Sequence, residues 1–249
     1  MKKIGIVGGI AWTSTVDYYS GICRRCEQFQ YSHNPGVLAV MPEMAIESLD
    51  LKTAFSYIGD DYNPESWAQF DEYHRSALKR LEAGGAECAV MAANTPHHRF
   101  AAITQGIEIP VINLLDTVAK ASSQIGVPEV LILGTALVMR SAEFRAAFSK
   151  YGIAAAGPAD ASECAATVAL VNEFQLGNLE DAANRVGRIA RACFGGTCAA
   201  GRAVYLACTE LLLAFPGQKN SGTFEHDGVL YLNSTALHID VAFDFAVRE

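Results

Sequence analysis

The chain has 249 residues, room for one large core or for two smaller ones of about half its length. Hydrophobic residues make up 51% and charged residues 18%, a balance that excludes a disordered chain. The net charge of −8 is spread along the sequence without a basic run, which argues against a nucleic-acid partner. The longest apolar stretches, such as 203–215, contain Cys208, Thr209 and Glu210 and are too short to span a bilayer, so no membrane partner is expected.

Met1-Lys2-Lys3 leads straight into Ile4-Gly5-Ile6-Val7-Gly8-Gly9 without the apolar region of a secretory signal, which sets a cytoplasmic location as the expectation. Seven cysteines are odd in number and too sparse for a disulfide scaffold, so reduced thiols are expected. Short apolar runs at 3–8, 37–41, 88–92, 110–113, 129–133, 153–156, 203–207 and 229–232 read as strands. Longer helical patterns separate them, the signature of an α/β fold with parallel sheets covered on both faces. Asn63-Pro64-Glu65 should open a helix that ends at Gly84-Gly85, and Asn178 with Glu180 and Asp181 should open another. Residues 51–63, with Gly59-Asp60-Asp61, read as a loop, either a cover for a pocket or ordinary surface.

Cys23 and Cys26 mimic a metal-binding pair. They share the apolar stripe Val16, Tyr19, Ile22, Cys23 and Cys26, and no second pair completes a zinc site, so no metal is expected. Cys193 lies on the stripe Val186, Ile189 and Ala190, Cys198 follows two glycines and Cys88 begins a strand. All three read as inert.

The chain also reads as two copies of one plan. Ile4-Gly5-Ile6-Val7-Gly8-Gly9 matches Val130-Leu131-Ile132-Leu133-Gly134-Thr135, and Val90-Met91-Ala92-Ala93-Asn94-Thr95 matches Tyr205-Leu206-Ala207-Cys208-Thr209-Glu210. This alignment sets Ala93 opposite Cys208; chance likeness between buried strands is the competing explanation. Ligands of such folds bind at the carboxyl ends of the strands, where N–H groups favour anions. Gly8-Gly9, Asn94-Thr95, Gly134-Thr135 and Cys208-Thr209 all fall on that edge, suited to a small carboxylate. No dinucleotide or nucleoside-triphosphate glycine pattern is present.

The opening Lys3-Ile4-Gly5-Ile6-Val7-Gly8-Gly9-Ile10, with Trp12, Ser14-Thr15 and Tyr18-Tyr19, resembles that of aspartate/glutamate racemases. Asn94-Thr95-Pro96-His97 resembles their first active-site segment, Ala207-Cys208-Thr209-Glu210 the second and Asn233-Ser234-Thr235-Ala236-Leu237-His238 the closing one. The resemblance spans nearly the whole chain. It implies two pseudo-symmetric flavodoxin-like domains, each a parallel sheet flanked by helices, with the active site at their interface. The corresponding boundaries are 1–115, 116–232 and a closing helix at 233–249 that returns to the first domain. It further implies a cofactor-free amino-acid racemase that works without pyridoxal phosphate, using two cysteines on opposite faces of the substrate Cα. Relatives of this kind are often homodimers.

On that pattern Cys208 is one acid/base, while Ala93 stands where the other cysteine usually lies. Three readings of Ala93 stay open: a laboratory change, a natural branch that uses water or His97 as the second donor, or a reaction needing one proton transfer. The third includes decarboxylation or isomerisation by a one-thiol relative; a binding protein that has lost the chemistry is a further alternative. Glu210 could tune Cys208 or simply favour a helix N-terminus. That N-terminus, near Thr209, is expected to lower the thiol pKa below its usual value of about 8.5. Asn94, Thr95, Thr135 and Thr209 are candidates for holding the substrate carboxylate. Gly9, Ile10, Thr15, Trp12 and His238 are candidates for lining or shaping the site. His97 could equally be a capping or core histidine, and His98 is expected to face solvent. Aspartate racemases of this group place an arginine after the second strand and a lysine in the second half. Here residues 41–47 hold no basic residue and Cys164 falls at the lysine's place, with Arg99 or Arg140 left to compensate.

Overall fold

A computed structural model of the protein describes residues 1–33, 36, 41–195 and 201–248. The chain divides into two compact units, Met1–Asn113 with His238–Glu249, and Leu114–Leu237. The expected α/β plan is what forms in each.

The first unit begins with β1 (Ile4–Gly8), every residue of which is buried, followed by α1 (Trp12–His33). After β2 (Met44–Ser48) and α2 (Leu51–Ser56), a 3-10 turn at Pro64–Trp67 leads into α3 (Ala68–Ala83). β3 (Cys88–Met91) then runs into a 3-10 turn at Thr95–Arg99 and the short α4 (Phe100–Ile103). The strands form a parallel sheet in the order β2-β1-β3. Ile4, Ile6, Cys88, Val90 and Ala92 from the sheet pack with Tyr18, Ile22 and Cys26 of α1 and with Ile239, Ala242 and Phe243. Each large apolar side chain so buried stabilises the fold by about 1.5–3 kcal/mol.

Several details of the sequence reading change here. The expected strand at 37–41 falls, but for Met41, outside the described residues; the strand that pairs with β1 is Met44–Ser48. Residues 110–113 form a single bridge, Ala89 with Val111, rather than a strand. The supposed loop at 51–63 starts as α2, because the Asp50 carboxylate accepts from Thr53 N–H at 2.7 Å and caps it. Asn63 supplies no side-chain cap to the turn that follows it. Along α1 the buried stripe is Ser14, Tyr18, Gly21, Ile22 and Cys26, whereas Val16 and Tyr19 are exposed and Cys23 is half-buried. The helix is turned from the expected setting so that Tyr18 faces the core.

The second unit runs α5 (Leu114–Gln124), β4 (Glu129–Leu133), α6 (Ala136–Arg140), α7 (Ala142–Ser149) and β5 (Ala154–Ala156). It continues with α8 (Ala161–Gln175), α9 (Ala182–Cys193) and β6 (Arg202–Leu206). A 3-10 turn at Thr209–Ala214 follows, then β7 (Thr223–His226), β8 (Val229–Asn233) and the start of α10 (Ser234–Val247). The sheet order is β5-β4-β6-β8-β7, parallel except for the edge strand β7, which the sequence reading missed. One face packs against α8 and α9 through Phe174, Val186 and Phe194, the other against α5 and α7 through Val118, Phe144 and Phe148. The helix expected to open at Asn178 begins at Ala182; the Asn178 amide instead donates to Glu173 at 3.2 Å. Cys198 lies outside the described residues.

The two halves share one core topology, a central strand with the second strand on one side and the third on the other. β1, β2 and β3 correspond to β4, β5 and β6. In both, the third strand ends in a 3-10 turn.

Candidate active site

In the first unit the end of β1 is a tight turn. Gly9 has φ +88°, and a side chain there would run into the backbone of Leu49. The Gly9 N–H donates to Thr15 Oγ1 at 2.9 Å, so the Thr15 hydroxyl secures the turn. Ile10 is half-buried, while Trp12 is 73% exposed.

At the end of β3, Ser14 Oγ donates to the Ala92 carbonyl at 2.8 Å, fixing the backbone just before Ala93 and Asn94, both buried. Asn94 accepts from His97 N–H through its carbonyl at 3.0 Å, and Thr95 is half-buried. His97 is fully enclosed. Its Nε2 lies 3.4 Å from the Met91 carbonyl, its ring stacks on Phe100, and the His238 ring stands edge-on to it at 5.7 Å. Burial and the neighbouring His238 hold its pKa well below the usual imidazole value. His238 sits one turn into α10. Its Nε2 donates to the Ile112 carbonyl at 3.0 Å, which can only accept, so its Nδ1 accepts from the Tyr18 hydroxyl at 2.7 Å. Both ring nitrogens are thus engaged in the neutral form, and burial lowers the pKa to about 4.

His98 corrects the sequence reading. It is buried rather than solvent-facing, with its Nε2 2.8 Å from the Asp61 carboxylate. Arg99 is likewise committed: its guanidinium donates to both oxygens of buried Asp71, at 3.1 and 2.7 Å, and lies over the Trp67 ring.

In the second unit, Gly134 lets the end of β4 approach β6, since a Cβ there would stand 2.9 Å from the Ala207 carbonyl. Thr135 caps α6, its hydroxyl accepting from Val138 N–H at 3.4 Å. Cys208 follows β6 in an extended conformation and is 8% exposed. On one side it packs within the apolar cluster that includes Leu211 and Leu212. On the other, its Sγ donates to Glu210 Oε2 at 2.9 Å, and the Thr209 hydroxyl donates to the same oxygen at 3.2 Å. Glu210 Oε1 accepts from Gln175 Nε2 at 3.2 Å.

This geometry overturns the expected pKa of Cys208. The turn after it is a 3-10 segment of six residues, and burial and the Glu210 carboxylate push the thiol well above its ordinary value. Backbone N–H groups of Thr209 and Glu210 oppose that rise but do not reverse it. The Cys208 Sγ donates to Glu210 Oε2, and that contact and the burial act against the thiolate.

Cys164 sits in the first turn of α8 with its Sγ donating to the Pro158 carbonyl at 3.4 Å, and Arg140 Nε donates to the Ala136 carbonyl of its own helix at 3.1 Å. Among the described residues, no group of three or more His, Cys, Asp or Glu could hold a metal ion. No described helix is long and apolar enough to cross a membrane. Sequence reasoning missed Gln175, Tyr18 and Asp71 as partners. Tyr18 stood inside a recognised segment; Gln175 and Asp71 carried no signal, because their partners lie far away in sequence.

Two α/β units with parallel-dominated sheets, each with a 3-10 turn after its third strand, define a doubled α/β architecture. Residues 7–242 match the family described as Asp/Glu/Hydantoin racemase, and the chain belongs to that family. It is similar to an aspartate racemase homologue from Pyrococcus horikoshii OT3, at 28% identity over the whole of both chains with a TM-score of 0.75. An aspartate racemase from Picrophilus torridus shares 16% identity and a TM-score of 0.73, with all of this chain and 96% of that one covered. A glutamate racemase from Campylobacter jejuni subsp. jejuni shares 14% and 0.64, with all of this chain and 87% of that one covered. At those identities the last two speak to the fold alone.

Proposed function

We propose that the protein is a cofactor-independent racemase or epimerase of a small amino acid, with Cys208 as an acid/base. The observation that carries the reading is the Cys208–Glu210 contact at 2.9 Å, at the strand end where ligands of such folds bind. An amino-acid Cα–H is a very weak acid, so the thiol must act as a thiolate when it abstracts the proton. Glu210 Oε2 is placed to receive the Cys208 proton. The resulting thiolate then takes the Cα proton: the C–H bond breaks, an S–H bond forms and the electron pair moves into the substrate carboxylate. Thr135 and Thr209 of the second unit and Asn94 and Thr95 of the first are the proposed neutral donors for that charge, with Gly9, Ile10 and Thr15 proposed to shape the turn that ends β1.

Ala93 offers no proton, so reprotonation on the far face falls to water or to His97, of which His97, enclosed and with its pKa held low by burial, is the poorer donor. The lack of a basic residue in 41–47, and Cys164 in place of a lysine, favour a substrate with one carboxylate, because a second desolvated charge would lack a partner. Ala93 also favours a second reading, a one-thiol decarboxylase or isomerase, for which a single proton transfer suffices.

Chiral chromatography of single-enantiomer amino acids after incubation tests the first reading. Appearance of the mirror-image form supports it. Carbon dioxide release from a malonate-like acid, or loss of a double bond, without enantiomer exchange would transfer the assignment to the second. Thermal stabilisation by a carboxylate with no turnover of any kind would instead mark a binding protein.

A further inference from the structure

A buried carboxylate that bonds a thiol has to be kept in one orientation, or its effect on the sulfur varies with every rotation of the side chain. Glu210 is buried, and both of its oxygens are taken: Oε2 by Cys208 and Thr209, Oε1 by Gln175. Gln175 is the last residue of α8 and is exposed, so packing gives it little to do. Its position is nevertheless fixed. Phe174 beside it is buried in the core, and Gly177, at φ +82°, ends the helix two residues on.

We propose that Gln175 is a positioning residue for the acid/base thiol, its side-chain amide holding the Glu210 carboxylate turned toward Cys208. The proposal rests on the reading of Cys208 as the acid/base. Anchored at one oxygen by an amide and at the other by a hydroxyl and a thiol, the carboxylate has its rotation locked. Three neutral donors, rather than a cation, then satisfy a charge that burial would otherwise penalise. Of the charged groups on the elements around this turn, Glu173 pairs with Arg185 at 2.6 Å, Arg188 with Asp181 at 3.5 Å and Arg202 with Glu129 at 2.8 Å. Glu163 acts on Cys193 and Arg191 lies by Gly187; Glu210 is the carboxylate that acts on the sulfur of Cys208.

Loss of the amide frees the carboxylate to swing away, weakening both the charge and the hydrogen bond that raise the Cys208 pKa. The test is the pH dependence of iodoacetamide alkylation at Cys208, read by peptide mass mapping in the full-length protein. Glu210→Gln should move the midpoint down by about one pH unit or more, and Gln175→Met should move it the same way by about half as much. Gln175→Ala repeats the measurement without the thioether. A Gln175→Met profile that coincides with the unaltered protein, whether or not Glu210→Gln shifts, would overturn the proposal. Because alkylation needs no substrate, a shift without any racemisation would keep the positioning role and remove only the acid/base reading.

Discussion

Ala93 and Cys208 occupy the same place in the same structural unit, once in each half. Val7 pairs with Met91 and Leu133 with Leu206, and the next N–H, of Ala92 or Ala207, donates back to the carbonyl of Val7 or Leu133 at 2.8 Å in both cases. The residue one step further is Ala93 in one half and Cys208 in the other. Position 93 is therefore the structural counterpart of position 208, however the two sequences are aligned.

Ala93→Cys should consequently raise racemisation, by about a hundredfold if a second thiol replaces a poor proton donor. The check is the rate of enantiomer formation in Ala93→Cys against the unaltered protein. An unchanged rate would mean that position 93 does not reach the substrate, and the two-thiol pattern would not describe this chain.

His74 and His238 make stability depend on pH. Burial lowers each to about 4, against about 6.5 in the unfolded chain. Below about pH 6.5 the unfolded chain binds protons that the folded one refuses. Stability is therefore full above that pH and falls as the pH drops toward about 4, by roughly 3 kcal/mol for each histidine. His97, also held low by burial, acts in the same direction. Thermal melts across this range should show the loss, and His74→Phe should remove only the share of it that His74 contributes; equal melting temperatures at both ends would contradict it.

Gly9 and Gly85 separate two effects that a glycine can serve. Both have positive φ, +88° and +80°, but a Cβ at Gly85 meets nothing while one at Gly9 strikes the Leu49 backbone. Gly85→Ala should cost about 1 kcal/mol from strain alone. Gly9→Ala should cost more, about 3 kcal/mol, and loosen the Thr15-capped turn. Denaturant titrations measure both, and equal losses would show that the approach to Leu49 does not matter.

The central strands were legible because their apolar runs are short, continuous and closed by glycine or small polar residues, as in Ile4–Gly8 and Glu129–Leu133. Edge elements were not. β2 lies in Met44–Ser48, whose half-exposed side chains break the apolar run, and β7 carries Glu225 and His226 on an outer strand. The candidate site was legible as segments, since Cys208, Thr209 and Glu210 are neighbours in sequence. Its electrostatics were not, because the pKa of Cys208 depends on how deeply the sulfur is buried and on where the Glu210 side chain turns. Gln175, which turns it, lies 35 residues away. His98 was misjudged for the same reason: its partner Asp61 comes from a loop that sequence alone could not bring near.

Hydrogen–deuterium exchange at the Cα of an amino-acid substrate in heavy water, followed by proton NMR, tests the central claim most directly. The account predicts loss of the Cα proton signal with the unaltered protein and a fall of at least about a hundredfold with Cys208→Ser. Exchange that continues undiminished in Cys208→Ser would contradict it.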